Sequence, residues 1–134
     1  MAENRLEVHV VTPEREVWTG EADMVVARAA DGEVGILPGH APYLAVLAPG
    51  PLRIKDGGNE ERAAVDGGFL HVNADQVHVL AEHALLANEI DVGRERSRRE
   101  ELQRRAQEGE EGVDEVRVEL AIVEARIRVA EPGS

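Results

Sequence analysis

The sequence contains no cysteine, which excludes both a disulfide framework and thiolate ligation of zinc. Lysine occurs once, at Lys55, outside any glycine-rich loop that could hold a nucleotide phosphate. Serine occurs only at Ser97, in a charged segment, and at Ser134. A serine or cysteine nucleophile needs a histidine partner near it, and these positions offer no such setting. The composition therefore argues against a covalent hydrolase and against a Walker-type ATPase.

Long apolar runs are also missing. No run approaches the roughly 18 residues of a membrane-spanning helix, and residues 1–5 lack the apolar core of a signal peptide. The formal net charge of −12 disfavours nucleic acid and anionic lipid as partners for the whole surface. We therefore expect a cytoplasmic chain with no nucleic-acid partner and no direct membrane insertion. Any association with a membrane is expected to go through another protein.

The composition changes along the chain. Most of the 13 glycines and 6 prolines precede residue 69, whereas residues 94–128 are rich in arginine, glutamate and small apolar residues. Short segments with alternating polarity, separated by glycine and proline, predict a flattened β-sandwich or barrel over about residues 3–86. The fold class expected is α+β, with a β-sandwich domain over residues 1–87 and an antiparallel two-helix hairpin over residues 88–134.

Several strands can be placed from polarity. Leu6, Val8 and Val10 alternate with polar residues, which is typical of a strand with one face on a core. Residues 43–48 are apolar on both parities, the pattern of a strand buried on both faces.

Residues 70–79 allow a register to be predicted, because their apolar positions must share one face. This requires Val72 opposite Val77, with a four-residue loop over residues 73–76, and it sets His71 opposite His78 on the outer face. Facing histidines suggest a metal site, but a zinc site needs three or four protein ligands and no third is evident. Histidines that simply face solvent are the plainer interpretation.

The stretch from Asp31 to Leu44 packs glycines, two prolines and one histidine between apolar runs. Gly35 indicates either a β-bulge or a close approach of another stretch of backbone. The prolines and glycine on both sides of His40 require tight turns, so we expect His40 at a fixed, exposed tip. Such a tip fits a contact site, and a plain hairpin corner is the alternative.

Two helices are expected at the back of the chain. The first should run from about Glu89 to Gln107 with Asn88 as its N-cap, and it should be supported by the pairs Glu95–Arg99, Glu100–Arg104 and Glu101–Arg105. The second should be capped by Asp114 and end near Ala130. Its apolar seam recurs at a spacing of three to four residues: Val113, Val116, Leu120, Val123, Ile127 and Ala130.

The first helix has too few apolar residues to cover this seam. Isolated helices of this length are marginal in water, so the hairpin is expected to dock conditionally, on its own sandwich or on a partner. A static hairpin lying on the sandwich is the alternative.

The run from Gly32 to Pro42 closely resembles the signature loop of the epsilon subunits of F-type ATP synthases. Later segments resemble the same family in order and spacing: Asp66 to Val72, Val79 to Glu82, Glu89 to Asp91, and the closing Val129 to Glu131. The resemblance implies a ten-stranded sandwich followed by two helices. It also implies a non-catalytic central-stalk subunit that couples proton flow to ATP synthesis at the cytoplasmic face of the cell membrane, peripheral through the complex.

The resemblance implies partners and contact residues as well. The sandwich would bind the gamma subunit and the membrane ring of c subunits, with Glu33, His40 and Pro42 at the interface. The helices would extend to the beta and alpha subunits of the catalytic head and inhibit ATP hydrolysis. The head-contacting residues of the basic helix would be Arg98, Arg99, Arg104 and Arg105.

Some family members bind ATP in the compact hairpin. Ile90, Asp91 and Arg94 match that motif, with Arg126 as a basic residue of the second helix. Glu95 replaces the expected alanine, however, so no bound cofactor is expected. A different class of function is a small-molecule or metal-binding β-domain with a dimerising helical hairpin, using His71 and His78.

Overall fold

A computed structural model describes residues 5–109 and 112–131; of the predicted seam, the side chain of Val113 lies outside the described part. The chain forms ten strands and then two helices. The strands are β1 (Leu6–Val11), β2 (Glu16–Ala22), β3 (Met24–Ala29), β4 (Gly32–Ile36), β5 (Tyr43–Leu47), β6 (Gly50–Asp56), β7 (Asn59–Val65), β8 (Gly68–Asn73), β9 (Gln76–Leu80) and β10 (Ala84–Leu86). A 3-10 turn (Ala87–Glu89) leads to α1 (Val92–Glu108) and α2 (Val113–Ala130).

The strands form one sheet in the order β10-β7-β6-β3-β5-β8-β9-β1-β2, with β4 paired to β3. Only one residue pair, Ala29 with Leu47, joins β3 to β5, so the sheet folds over at this point into two layers. Strands β10 and β2 at its two ends come into contact, which nearly closes it. The predicted α+β fold, with a sandwich of about ten strands and two following helices, is confirmed.

The core lies between the two layers, and alternation decides which residues enter it. Leu6, Val8 and Val10 of β1 are fully buried there, as their spacing predicts. The register of β8 and β9 is also as predicted, with Val72 opposite Val77. The predicted four-residue loop is wrong, because Asn73 and Gln76 themselves pair and leave a two-residue turn. Both turn residues, 74 and 75, have the positive φ that such tight hairpins require.

The starts of both helices differ from the sequence prediction. Asn88 does not cap α1, because Glu89 is engaged elsewhere: its carboxylate accepts hydrogen bonds from Arg15 at 2.8 and 2.9 Å and from the backbone of Leu86. The Arg15 guanidinium lowers the pKa of Glu89 below its usual range. The helix begins only after Asp91, whose carboxylate accepts a hydrogen bond from the backbone N–H of Arg94 at 3.1 Å.

Helix α2 begins after Gly112, which has a left-handed φ of +83°. Asp114 therefore lies inside the first turn and is not the cap that its residue type suggests. The end of α2 at Ala130 agrees with the prediction.

The two helices pack against each other and onto the sandwich. Leu102 of α1 forms an apolar cluster with Val116, Val123 and Ile127 of α2. Helix α2 also contacts β6 and β7. Ala64 of β7 points away from the sandwich core yet is only 1% exposed, because α2 covers this face. Helix α2 therefore packs both on α1 and on the sandwich strands β6 and β7.

In the described residues no helix is long and apolar enough to cross a bilayer.

Candidate functional site

The loop of residues 37–42 joins β4 to β5 at one end of the sandwich. It contains a turn in which the His40 N–H donates to the Leu37 carbonyl at 3.1 Å. Pro38 and Gly39 occupy the central positions, and the φ of +84° at Gly39 is the value that a type II turn requires there. The Gly39 N–H donates to Oδ1 of Asp75 at 2.7 Å, which ties the loop to the β8–β9 turn. The loop is therefore held rigidly.

His40 is half-buried, so the prediction of an exposed tip is wrong for its side chain. Its Nδ1 lies 2.7 Å from the carbonyl of Ala41, and because a carbonyl accepts, Nδ1 carries the proton in this contact. The ring packs edge-on against Tyr43, with 5.6 Å between centroids. Pro42, by contrast, is exposed. The imidazole is thus partly exposed and is oriented by these two contacts.

Glu33 lies on β4 and is exposed. It pairs in register with Arg28 of β3. A strand rises about 3.3 Å per residue, so Glu33 is roughly 10 Å along the strand from Ile36, where the loop of His40 begins. The structure therefore does not bring these two predicted contact residues into one cluster.

Both explanations for Gly35 are wrong: the strand has no bulge here, and the group that approaches closely is a side chain and not backbone. The β3–β4 register continues through Gly35 without a bulge. A Cβ at this position would come within 3.0 Å of the Met24 side chain. Glycine thus leaves room for that methionine on the β3–β4 ladder.

The hairpin and the sandwich enclose a cleft of about 520 Å³. Of the three residues that match the family's nucleotide motif, Arg94 alone is among the residues that line this cleft. Asp91 is used as the cap of α1, Ile90 is half-buried, and Arg94 is exposed at the cleft wall. The cleft is further lined by Asp66, Glu95, Ser97, Arg98, Glu101, Glu119, Ile122, Val123 and Arg126.

Arg126 of α2 lies between two carboxylates in this cleft. Its Nη1 is 3.5 Å from Oε1 of Glu95, and its Nη2 is 3.6 Å from Oδ1 of Asp66. The three side chains are only 21%, 10% and 11% exposed, respectively. Burial raises the pKa of Asp66 above its usual range, although the charge of Arg126 opposes the shift. The Arg126 guanidinium, which the family resemblance assigns to nucleotide binding, is therefore paired with carboxylates of the chain itself.

Arg98 is likewise engaged inside the hairpin. Its Nε donates to Glu119 of α2 at 2.8 Å, and it also pairs with Glu101. The Glu119 carboxylate raises the pKa of Arg98 above its usual range.

The three predicted pairs along α1 are wrong. Glu95 contacts Arg126, Glu101 contacts Arg98, and across the described residues no ion pair involves Arg99, Arg104 or Arg105. Pairing across the hairpin therefore replaces pairing along one helix. Of these three arginines, Arg104 is exposed, whereas Arg99 and Arg105 are half-buried.

The outer face of β5, β8 and β9 carries an apolar patch that polarity alone does not reveal. Leu44 is 68% exposed, Val46 56%, Phe69 50% and Leu80 46%. Strand register aligns Val46 with Phe69 and Phe69 with Leu80, so the four side chains share one face. The prediction that residues 43–48 are buried on both faces is thus wrong, because no other element of the described chain covers this side. We call these four residues the apolar face.

His71 lies opposite His78, as predicted, and the structure adds a third histidine to the row. His9 of β1 pairs in register with His78, and their rings stack 4.9 Å apart at an interplanar angle of 9°. A metal requires ring nitrogens that converge on one point, whereas stacked rings keep theirs apart. Within residues 5–109 and 112–131, no group of three or more candidate ligands is arranged to hold a metal.

Comparison with known proteins agrees with this architecture. A family model described as "ATP synthase, Delta/Epsilon chain, beta-sandwich domain" matches residues 5–87. A protein named ATP synthase epsilon chain from Thermobifida fusca is 48% identical over 131 residues, which span 94% of this chain and 92% of the relative. A second, from Halalkalibacterium halodurans, is 43% identical and covers 96% of this chain and 97% of the relative.

Two solved assemblies contain chains of similar fold. A chain in the cryo-EM structure of the Euglena gracilis mitochondrial ATP synthase, solved as OSCP/F1/c-ring, has a TM-score of 0.82 and 25% identity, covering 91% of this chain and 79% of that chain. A chain in the central stalk and c-ring structure from Tetrahymena thermophila has a TM-score of 0.61 at 19% identity, covering 93% and 96%, and supports the fold alone. The family match over most of the sandwich and the identity to relatives along nearly the whole chain lead to one conclusion: this chain belongs to the ATP synthase epsilon chains, a family of non-catalytic subunits.

Proposed function

We propose that this chain links the gamma subunit to the ring of c subunits in the central stalk of an F-type ATP synthase, at the cytoplasmic face of the cell membrane. It would thereby take part in coupling proton flow to ATP synthesis and, through its helices, restrain ATP hydrolysis. The observation that carries this proposal is the apolar face on the sandwich.

The apolar face is unusual for an isolated acidic protein. Four large apolar side chains lie side by side in a chain of net charge −12, and each is about half exposed or more. Contiguous apolar surface of this kind marks a protein–protein contact, because its exposure to water is unfavourable. We assign the gamma subunit as its occupant, since family relatives are ATP synthase subunits and a chain of similar fold comes from an assembly of OSCP, F1 and the c-ring.

The edge of the apolar face has a concave shape that suits docking. A depression of about 430 Å³ is bordered by Phe69 and Leu80 together with Val11 and Pro13. Anchor residues of stable interfaces commonly insert into such depressions. An apolar side chain of the gamma subunit would bury both its own surface and the edge of Phe69.

The loop of residues 37–42 supports the assignment to the membrane ring. Pro42 is exposed, His40 is partly exposed and bonded to the Ala41 carbonyl, and Gly39 is tied to Asp75. A contact that transmits rotation requires side chains on rigid backbone, and this loop meets that requirement. Glu33 would add a second contact farther along β4.

The helices would act on the catalytic head. The hairpin is docked on its own sandwich here: Arg126 pairs with Asp66, and α2 contacts β6 and β7. The apolar cluster joins α1 to α2 within the hairpin. Three arginines on α1 have no ion-pair partner within the described residues, so an extended hairpin could offer Arg99, Arg104 and Arg105 to acidic surfaces of the beta and alpha subunits. No nucleotide is required for the docked state, because Glu95 already neutralises Arg126.

The apolar face can be tested by replacing Phe69 with serine and measuring the affinity of the full chain for the purified gamma subunit. We expect at least a tenfold loss of affinity, since about 1.4 kcal/mol of apolar burial is enough for that change. Val118→Ser is the matched control, because Val118 is 56% exposed on α2, away from this face. Equal affinities of the two variants, with both folded by circular dichroism, would disprove the assignment.

A further inference from the structure

The apolar face continues into a row of three imidazoles that its docking role alone does not explain. Leu44 of β5 pairs with His71 of β8, His71 with His78 of β9, and His78 with His9 of β1. Ring centroids are 6.4 Å apart for the first histidine pair and 4.9 Å for the second. We call these three residues the histidine row. It runs beside the apolar face, on the same side of the sheet.

The row is compact and only partly solvated. His9 and His78 are half-buried by each other and by their neighbours, while His71 is exposed. Imidazole is the side chain that changes charge in the physiological pH range. Because the stacked rings are so close, adding a proton to each would place like charges against one another.

Carboxylates lie near only one end of the row. His9 Nε2 is 3.3 Å from Oε2 of Glu7, and His9 Nδ1 is 3.8 Å from Oε1 of Glu16 of β2 and 3.4 Å from the Thr19 hydroxyl. Among the described residues, no ion pair is recorded for His78 or His71. On the β5 side the row meets Leu44, which is apolar.

We propose that the histidine row makes docking at the apolar face depend on pH, with the row uncharged in the docked state. The proposal rests on the proposed function, since it requires a partner that covers this face. In the free chain, water can solvate the protonated rings, and Glu7 and Glu16 lie beside His9. Under a partner that buries Leu44 and Phe69, a protonated row would lose that water while its charges still repel.

The direction of the effect follows from proton linkage. If the free chain binds more protons than the docked chain, docking releases protons and weakens as the pH falls. Each released proton contributes a tenfold change in the dissociation constant per pH unit below the range where imidazole titrates. Acidification of the cytoplasmic side would therefore loosen the chain from its partner.

The test measures the dissociation constant of the full chain for the purified gamma subunit at about pH 8, 7 and 6, which bracket the ordinary titration of imidazole. The variant carries His9→Gln, His71→Gln and His78→Gln, which keep hydrogen-bonding capacity and remove the titration. We expect the dissociation constant of the native chain to rise about tenfold or more from pH 7 to pH 6, and that of the triple variant to change by less than about twofold. His83→Gln, a histidine after β9 and outside the row, should keep the native dependence.

The outcomes separate the two proposals. If neither the native chain nor the triple variant binds at about pH 8, the docking proposal fails and this inference fails with it. If the native chain and the triple variant both bind at about pH 8 and lose affinity equally toward pH 6, the docking proposal stands and the role of the histidine row is disproved. A pH dependence that a chelator abolishes would also overturn the inference, because it would indicate a metal held by the row.

Discussion

Arg126 Nη1 of α2 lies 3.5 Å from Oε1 of Glu95 of α1, so this pair joins the two helices. Glu95 is the residue that replaces the alanine of the family's nucleotide motif. Asp66 of the sandwich shares the same guanidinium at 3.6 Å. One arginine therefore connects both helices to the β domain. This arrangement leads to predictions that need no bound nucleotide.

Replacing Arg126 with alanine should loosen the hairpin. Glu95 and Asp66 would face each other without a cation in a place that is about nine-tenths buried. Removal of one partner from a buried pair costs about 3–5 kcal/mol, and partial exposure of Arg126 reduces the expected loss to about 1–3 kcal/mol. Urea unfolding monitored by circular dichroism measures it.

The control for this change is Arg128→Ala, which removes an exposed arginine two residues along the same helix. It should change the free energy of unfolding by less than about 0.5 kcal/mol. Adding Glu95→Gln to Arg126→Ala should recover part of the lost stability. Absence of any recovery would contradict a charge-based contact.

Asp66 should make the stability depend on pH in an unusual direction. Because burial raises its pKa in the folded chain, the folded state retains this proton to higher pH than the unfolded state. The contribution of Asp66 to stability is therefore present at acid pH and declines as the pH rises from the ordinary carboxyl range through the raised value. Asp66→Asn should remove this decline, so the variant gains stability relative to the native chain between about pH 4 and pH 7.

Unfolding free energies of the native chain and of Asp66→Asn, measured across this range, provide the check. Glu82→Gln, a change at an exposed carboxylate in the turn after β9, serves as control. A native chain that gains stability relative to Asp66→Asn as the pH rises would show that attraction to Arg126 outweighs burial.

A chain ending at Asn88 should still fold. All members of the sandwich core lie between Leu6 and Ala84, so truncation leaves that core complete. Loss of α2 uncovers Ala64 and the surface around it, which should lower the stability without abolishing cooperative unfolding. Thermal and urea unfolding decide the point. A gradual, non-cooperative loss of β signal would show that residues 1–87 are not an independent domain.

Weakening the hairpin should raise ATP hydrolysis by the assembled complex. Leu120 packs against the apolar cluster shared by α1 and α2, so Leu120→Asp introduces a charge into that cluster. If docked and extended states differ by a few kcal/mol, this change shifts their populations several-fold or more. Hydrolysis is measured at matched occupancy of the subunit, with Val118→Asp as the exposed control on α2. Rates equal to the native complex would argue for a purely structural hairpin.

The double change Glu33→Ala and His40→Ala should reduce proton pumping per ATP hydrolysed without unfolding the chain. Glu33 is exposed, and the His40 side chain makes only local contacts, with the Ala41 carbonyl and with Tyr43. Reconstituted vesicles with a pH-sensitive dye measure pumping. Glu61→Ala together with His83→Ala provides a control with the same two residue types at other positions. Pumping at the native level would exclude the loop as a contact with the ring.

The sequence predicts those parts of the fold that depend on local alternation and turn chemistry. The β8–β9 register follows from the requirement that Val72 and Val77 share the core face. The start of α1 could not be predicted, because Glu89 is held by Arg15, which lies 74 residues earlier in the chain. Pairing between distant segments overrides the local preference of Asn88 for a cap.

The candidate surfaces also divide into features that local sequence determines and features that depend on contacts between distant segments. The loop around His40 is recognisable from its glycine and proline residues, because they dictate backbone geometry directly. The apolar face was missed, since apolar residues on both parities of β5 do not reveal whether another element covers Leu44 and Val46. The third histidine was missed because the parallel pairing of β1 with β9 joins the two ends of the sandwich sequence.

The contacts of Asp75 have a mechanical consequence. Its side chain holds Gly39 in the loop, its carbonyl accepts the N–H of Glu7 in β1, and its own backbone forms the turn between β8 and β9. Asp75 thus connects the loop of residues 37–42 to β1 and to the β8–β9 turn at this end of the sandwich. A lateral load on the loop is passed through Asp75 to three strands, β1, β8 and β9, so the stiffness of this end is set by the sheet and not by the loop.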